Sequence, residues 1–294
     1  RVEFINDDTK IEFLVEQGAA ASASRPATRT SSSSSTPGGQ PGTSSSGKAT
    51  RISGDRALQI AARGDQVDTV RLLLQRGLAD PNVQDEIGCT PLMAACSCPQ
   101  ARAEVARLLV EAGADPTRAS NDGFTPMHSV AQHGHTDLVD LLHSSSPATL
   151  NLHSTSGETP LFMACYYGQE EVLSRLLSLG AVPPVERKMC PLTMAVRQGF
   201  VGVVRILITQ QGMQAIGGRD VLPKALYASA RFGQGKILRV LLGADGDGMR
   251  SAWANTGIMG KHLLHFGAGY CSPGAVSALL EAGADEGARD VEGR

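Results

Sequence analysis

The stretch Thr90-Pro91-Leu92-Met93-Ala94-Ala95 decides the fold, because it returns along the chain. Copies stand at Thr125-Pro126-Met127-His128-Ser129-Val130-Ala131 and at Thr159-Pro160-Leu161-Phe162-Met163-Ala164. A weaker copy is Cys190-Pro191-Leu192-Thr193-Met194-Ala195, and degenerate ones begin at Leu58, Leu226 and Leu264. The leading apolar residue falls at positions 58, 92, 127, 161, 192, 226 and 264, at intervals of 34, 35, 34, 31, 34 and 38. Self-similarity at a period of this length marks a chain built from stacked supersecondary units.

A second signature lies between these marks. Leu108-Leu109-Val110-Glu111-Ala112-Gly113-Ala114-Asp115 returns as Leu279-Leu280-Glu281-Ala282-Gly283-Ala284-Asp285, with looser versions at Leu72–Gly77 and Leu176–Ala181. Each unit therefore reads as a short Ala-rich helix, a Gly-containing turn and a Leu-rich helix ended by Gly. The closing Gly supplies the left-handed cap conformation that other residues reach only at a cost. Pro at the first helical position has no N–H to leave unpaired, and the Thr before it can cap the helix.

Composition agrees with small, repeated helical packing. The chain has 294 residues, of which 41% are hydrophobic, 19% charged and 4% aromatic, with 33 Gly and one Trp. That apolar fraction can build a core, which excludes wholesale disorder. No apolar run is long enough for a membrane span. A formal charge of -2 argues against a surface devoted to nucleic acid. The six cysteines, Cys89, Cys96, Cys98, Cys165, Cys190 and Cys271, lie at unrelated intervals in a chain that is neither short nor Cys-dense. A disulfide framework is not expected, and the compartment is read as reducing, cytoplasmic or nuclear.

These recurring motifs resemble the ankyrin-repeat family over about residues 55–294, in seven copies. The resemblance implies an all-α solenoid of stacked helix-turn-helix units with β-turn fingers along one edge. A lone unit cannot bury its apolar face, so neighbours share one continuous core. Lys224-Ala225 and His262-Leu263 replace Thr-Pro in the last two units. Helix pairs are expected there, but not regular fingers leading into them. Phe13–Ala19 matches Leu109–Ala114, so residues 1–18 are read as the second helix of a partial repeat. Residues 19–54 are a low-complexity Ser, Ala, Thr, Gly and Pro insertion, expected to be disordered. This insertion carries Arg25, Arg29, Lys48 and Arg51 and no acidic residue, so phosphorylation of its serines would reverse its sign. Residues 55–294 form the array, which Asp290–Arg294 is expected to continue as the finger of a further repeat.

Three motifs come close to chemical sites without completing them. Gly42-Thr43-Ser44-Ser45-Ser46-Gly47-Lys48-Ala49 nearly forms a phosphate loop. It lacks the final hydroxyl, and no apolar strand precedes it. Cys89, Cys96 and Cys98 offer no second spaced pair for zinc, and Cys96 reads as a buried small residue. Among His128, His133 and His135, the first and last occupy family positions where imidazole bonds neighbouring turns. No cofactor or metal is expected, and no nucleophile–base or paired-carboxylate arrangement assembles; the resemblance implies a non-catalytic chain.

The resemblance also implies that partners bind on the concave face, between finger tips and the exposed side of the first helices. The two positions before each mid-repeat Gly are then the contact column: Gln132 and His133, Tyr166 and Tyr167, Arg197 and Gln198, Arg231 and Phe232, Gly269 and Tyr270. Tyr166, Tyr167, Phe232 and Tyr270 are four of only twelve aromatic residues. Tyr and Arg dominate interface energetics, so these exposed positions point to binding. Tyr166, Arg197 and Phe232 are read as the centre, with Asp122, Phe124 and Arg187 among the fingers at the rim. The competing reading is that the aromatics pack on neighbouring fingers. The function expected is a protein–protein interaction scaffold, a monomeric array holding another protein, without nucleic acid or a membrane segment. The alternative is the targeting arm of a larger enzyme, such as a kinase, ubiquitin ligase or acyltransferase.

Overall fold

The computed structural model describes residues 53–98, 103–183, 190–215, 221–243, 254–255, 257–258 and 261–289. The expectations for residues 1–18, for nearly all of 19–54 and for the finger at 290–294 lie outside the described residues, as do Arg187 and Lys188. In chain order the helices are α1 (Gly54–Arg63), α2 (Val67–Gln75), α3 (Pro91–Cys96), α4 (Ala103–Glu111), α5 (Pro126–His133) and α6 (Thr136–Ser145). A 3-10 turn, Pro147–Asn151, leads to α7 (Pro160–Tyr167), α8 (Glu170–Ser178), α9 (Pro191–Gln198) and α10 (Val201–Leu207). Then follow α11 (Gln210–Ala215), α12 (Leu222–Arg231), α13 (Gly235–Leu242), α14 (Leu263–Gly269) and α15 (Pro273–Glu281).

The first helices start where their caps dictate. Thr90 Oγ1 accepts the Met93 N–H at 3.3 Å, and Thr159 Oγ1 accepts that of Phe162 at 3.3 Å. Each cap sits in extended backbone with Pro at the first helical position, where a missing donor costs nothing. Helices α5, α7 and α9 stop at Gly134, Gly168 and Gly199, whose φ values of 86°, 78° and 84° suit Gly and few other residues.

Among the described residues these helices form seven pairs, with α11 and the 3-10 turn as additions. First helices pack on first helices along the series α1, α3, α5, α7, α9, α12, α14, and second helices do so along α2, α4, α6, α8, α10, α13, α15. The chain is therefore a helical ankyrin-type solenoid. Leu58, Leu92, Met127, Leu161 and Leu192 are fully buried, one per unit, in a single core reaching from Leu58 to Ala284. Each such side chain contributes about 1.5–3 kcal/mol. In the last unit the burial shifts. Leu264 keeps the repeat register but is half-buried, and the preceding Leu263 is fully buried instead. The long 38-residue interval before it contains a two-residue antiparallel pair, β1 (Gly257–Ile258) and β2 (Lys261–His262), in place of a Thr-Pro entry.

Three finger turns are described. Asp85 N–H donates to Cys89 O at 3.1 Å, Ser120 to Phe124 at 2.8 Å, and Ser154 to Glu158 at 2.9 Å. Adjacent fingers then bond through their backbones: Asn121 N–H to Ile87 O at 3.1 Å, and Thr155 N–H to Asp122 O at 2.9 Å. Gly123 makes this approach possible. Its φ is 78°, and a Cβ there would stand 2.7 Å from Thr155 N.

Candidate partner-binding surface

The contact column lies on the first helices and splits into two lanes. The left-handed residues after these helices, Gly134, Gly168, Gly199, Gly233 and Cys271, keep the lanes in register. Two positions before them stand Gln132, Tyr166, Arg197, Arg231 and Gly269. One position before them stand His133, Tyr167, Gln198, Phe232 and Tyr270.

Toward the C-terminus the lanes interlock between units. The Arg197 guanidinium carbon lies over the Phe232 ring, 5.8 Å from its centroid. One unit on, Arg231 lies over the Tyr270 ring at 5.7 Å, and it also covers the Phe232 ring at 5.8 Å. These separations are within cation–π range. Tyr167, Phe232 and Tyr270 are 41%, 45% and 51% exposed, and Arg197, Gln198 and Arg231 are exposed as well. Beneath them, half-buried Tyr227 meets Phe266 edge to face at 4.7 Å.

Tyr166 departs from this pattern. It is half-buried, stacked on Phe162 at 6.1 Å and packed against the core, so only Tyr167 of that pair is exposed. An i−4 aromatic neighbour on the same helix face draws the ring inward. The side chains that the structure brings together on the exposed face are Arg197, Arg231, Phe232 and Tyr270, and Tyr166 is not among them. Phe124 also turns inward, half-buried and edge-on to His128 at 5.4 Å. Asp122 is exposed at its finger, with its carbonyl taken by Thr155. Gln132 and His133 are half-buried. The Gln132 carbonyl accepts Gln169 Nε2–H at 2.9 Å, and His133 bonds Ser129 O at 2.9 Å and stacks on His135. Arg187 lies outside the described residues.

One part of the surface goes unread in the sequence. A groove of about 660 Å³ opens between α1 and the first finger, lined by Arg56, Gln59, Ile60 and Arg63 on one side and Val83–Ile87 on the other. Ile60 and Ile87 are 44% and 65% exposed. The signal was present: Asp65, with φ 54°, takes the place of the mid-repeat Gly, which puts Arg63 in the first lane.

The buried polar groups serve the frame. Nδ1 of His128 accepts the Thr125 N–H at 3.1 Å, so the ring proton is on Nε2, which donates to Glu158 O at 3.0 Å in the next finger. Burial lowers the His128 pKa from 6.5 to about 4. His135 Nε2–H similarly reaches back to Cys98 O at 2.7 Å. Cys96 and Cys165 are fully buried, and burial pushes the Cys96 thiol up to about 12 and the Cys165 thiol up as well. Among the described residues no three His, Cys, Asp or Glu side chains gather as metal ligands. Nor is any described helix long and apolar enough to cross a membrane.

Three relatives place the chain among known proteins. The ankyrin repeat protein nuc-2 of Neurospora crassa is 29% identical over 224 residues, 74% of this chain and 20% of that protein. The ankyrin repeat and KH domain-containing protein mask-1 of Caenorhabditis elegans is 31% identical over 158 residues, 52% of this chain and 6% of the relative. The chain thus spans a fifth or less of those two. Cyclin-dependent kinase 4 inhibitor B of Mus musculus is 35% identical over 121 residues, 41% of this chain and 89% of the relative. The family model described as ankyrin repeats matches residues 38–120 and 113–186, together about half of the sequence. With its helix pairs, stacked fingers and capped Thr-Pro entries, the chain belongs to the ankyrin-repeat family.

Proposed function

We propose that this chain is a non-enzymatic interaction scaffold that holds a partner polypeptide along its first-helix face, between the helix column and the fingers. The observation carrying this reading is the exposure of Tyr167, Phe232 and Tyr270 in one lane, with Arg197 and Arg231 beside them. Exposed rings that recur in one lane of one face are costly to solvate and are the anchors that interfaces favour. That one relative is, by its name, an inhibitor of a kinase supports a role exerted by binding.

Photo-crosslinking tests the face. A benzophenone amino acid at Gln198, in the lane, should yield polypeptide adducts from cell extract, whereas the same group at Glu171 on α8 should not. Equal labelling at both positions, or labelling at Glu171 alone, would refute the assignment.

A further inference from the structure

The contact face differs in chemistry along its length, and the difference names a class of partner. On the second helices, three arginines meet carboxylates of the neighbouring unit. Arg71 meets Glu104 at 3.1 Å, Arg175 meets Asp140 at 2.6 Å, and Arg239 meets both oxygens of Glu281 at 2.8 and 2.9 Å. On the first helices the pattern changes. Helices α9, α12 and α14 contain no Asp or Glu. Among the described residues, Arg197 and Arg231 have rings as neighbours and no carboxylate partner. Exposed Lys224 lies seven residues before Arg231, two turns along α12, and so shares its face.

We infer that the segment Arg197–Phe232–Arg231–Tyr270 is the recognition site for an acidic peptide segment, one that alternates Glu or Asp with apolar side chains. This rests on the function proposed above and deepens it. A guanidinium held over a ring face keeps its planar fork of N–H donors for a carboxylate, which it can grip bidentately. The ring has already restricted the side chain, so less rotamer freedom is lost on binding. The exposed faces of Phe232 and Tyr270 give the apolar residues between the acids a surface to cover. A nucleic acid fits less well. Asp85, Glu86, Asp122 and Glu158 place acidic groups on the described fingers, and these repel a phosphate backbone running along the array.

The test is fluorescence anisotropy on the full chain, using a labelled synthetic peptide that alternates Glu with Leu and a second peptide with Gln in place of Glu. The Glu peptide should bind the wild-type protein ~10-fold or more tighter than the Gln peptide, with an affinity that falls as salt rises. The double variant Arg197→Glu with Arg231→Glu should abolish the preference. Lysine at both positions should keep only part of it, because an ammonium lacks the planar fork. The charge-matched control Arg71→Glu with Arg205→Glu, on the second helices, should bind as the wild type does. Circular dichroism melting checks that each variant folds.

Equal binding of the two peptides would overturn the inference, as would an equal loss in the control, which would indicate diffuse attraction. Tighter binding of single-stranded oligouridylate than of the Glu peptide would assign the site to nucleic acid instead. Persistent crosslinks at Gln198 without any preference for the Glu peptide would leave the scaffold reading standing and remove this one.

Discussion

Arg231 and Tyr270 are 39 positions apart in sequence and 5.7 Å apart in space, the guanidinium of one unit resting over the ring of the next. Arg197 and Phe232 repeat the relationship one unit earlier at 5.8 Å. Each contact bridges two stacked first helices on an exposed face, so it should add a small coupling between units. A double-mutant cycle of Arg231→Ala and Tyr270→Ala, read by urea denaturation, should give a coupling of about 0.5–1 kcal/mol. Strict additivity would mean that the two side chains do not interact in solution.

His128 makes stability depend on pH. Its folded pKa, about 4, lies below the unfolded 6.5, so between these values the unfolded chain binds more protons. Protonation would also set a new Nδ1–H against the Thr125 N–H that Nδ1 now accepts. The contribution is therefore complete above pH 6.5 and lost as the pH falls toward 4, to a total of about 3 kcal/mol. The variant His128→Asn should be less stable at pH 7.5 and show a shallower decline between pH 6.5 and 4.5. Parallel curves for the two proteins would exclude His128 as the source.

Cys271 occupies a left-handed backbone position, φ 51°, where four earlier units have Gly. A residue with a Cβ costs about 1 kcal/mol or more in this region. The side chain is exposed. Cys271→Gly should raise the midpoint of thermal unfolding, and a lower midpoint would show that the thiol makes contacts outweighing the strain.

The finger ladder has a corresponding weak point. Gly123→Ala forces a Cβ to within 2.7 Å of Thr155 N at a φ of 78°, so the bond from Thr155 N–H to Asp122 O cannot keep its 2.9 Å geometry. The expected cost is about 1–3 kcal/mol, accompanied by faster hydrogen exchange at the Thr155 amide. Unchanged exchange at that amide would show that the fingers do not depend on one another in this way.

Much of this architecture can be read from residue types at fixed spacing. Thr90 and Thr159 cap their helices, and Gly134, Gly168 and Gly199 end theirs, because these tasks depend on local backbone geometry. Cys96 is buried because it falls in the core-facing column that Ala62, Ala131 and Cys165 share on their own first helices. What escapes the sequence depends on stacking between units. Tyr166 and Tyr167 are chain neighbours, yet one ring packs inward on Phe162 and the other stays out. Nothing in the spacing states that Arg197 reaches Phe232, or that Phe124 turns onto His128. The α1 groove with Ile60 and Ile87 escapes the pattern because Asp65 takes a role that the pattern assigns to Gly. In the last unit, where no regular finger is expected, Leu263 beside the β1–β2 pair takes the burial that the spacing assigns to Leu264.

The most direct test of the first-helix face is the affinity of the polypeptide crosslinked through Gln198, measured on the wild-type chain and on a Tyr167→Ala, Phe232→Ala, Tyr270→Ala variant of unchanged helical content. Three anchor rings in the lane predict a loss of ~100-fold or more. Undiminished affinity would contradict the assignment of this face as the binding surface.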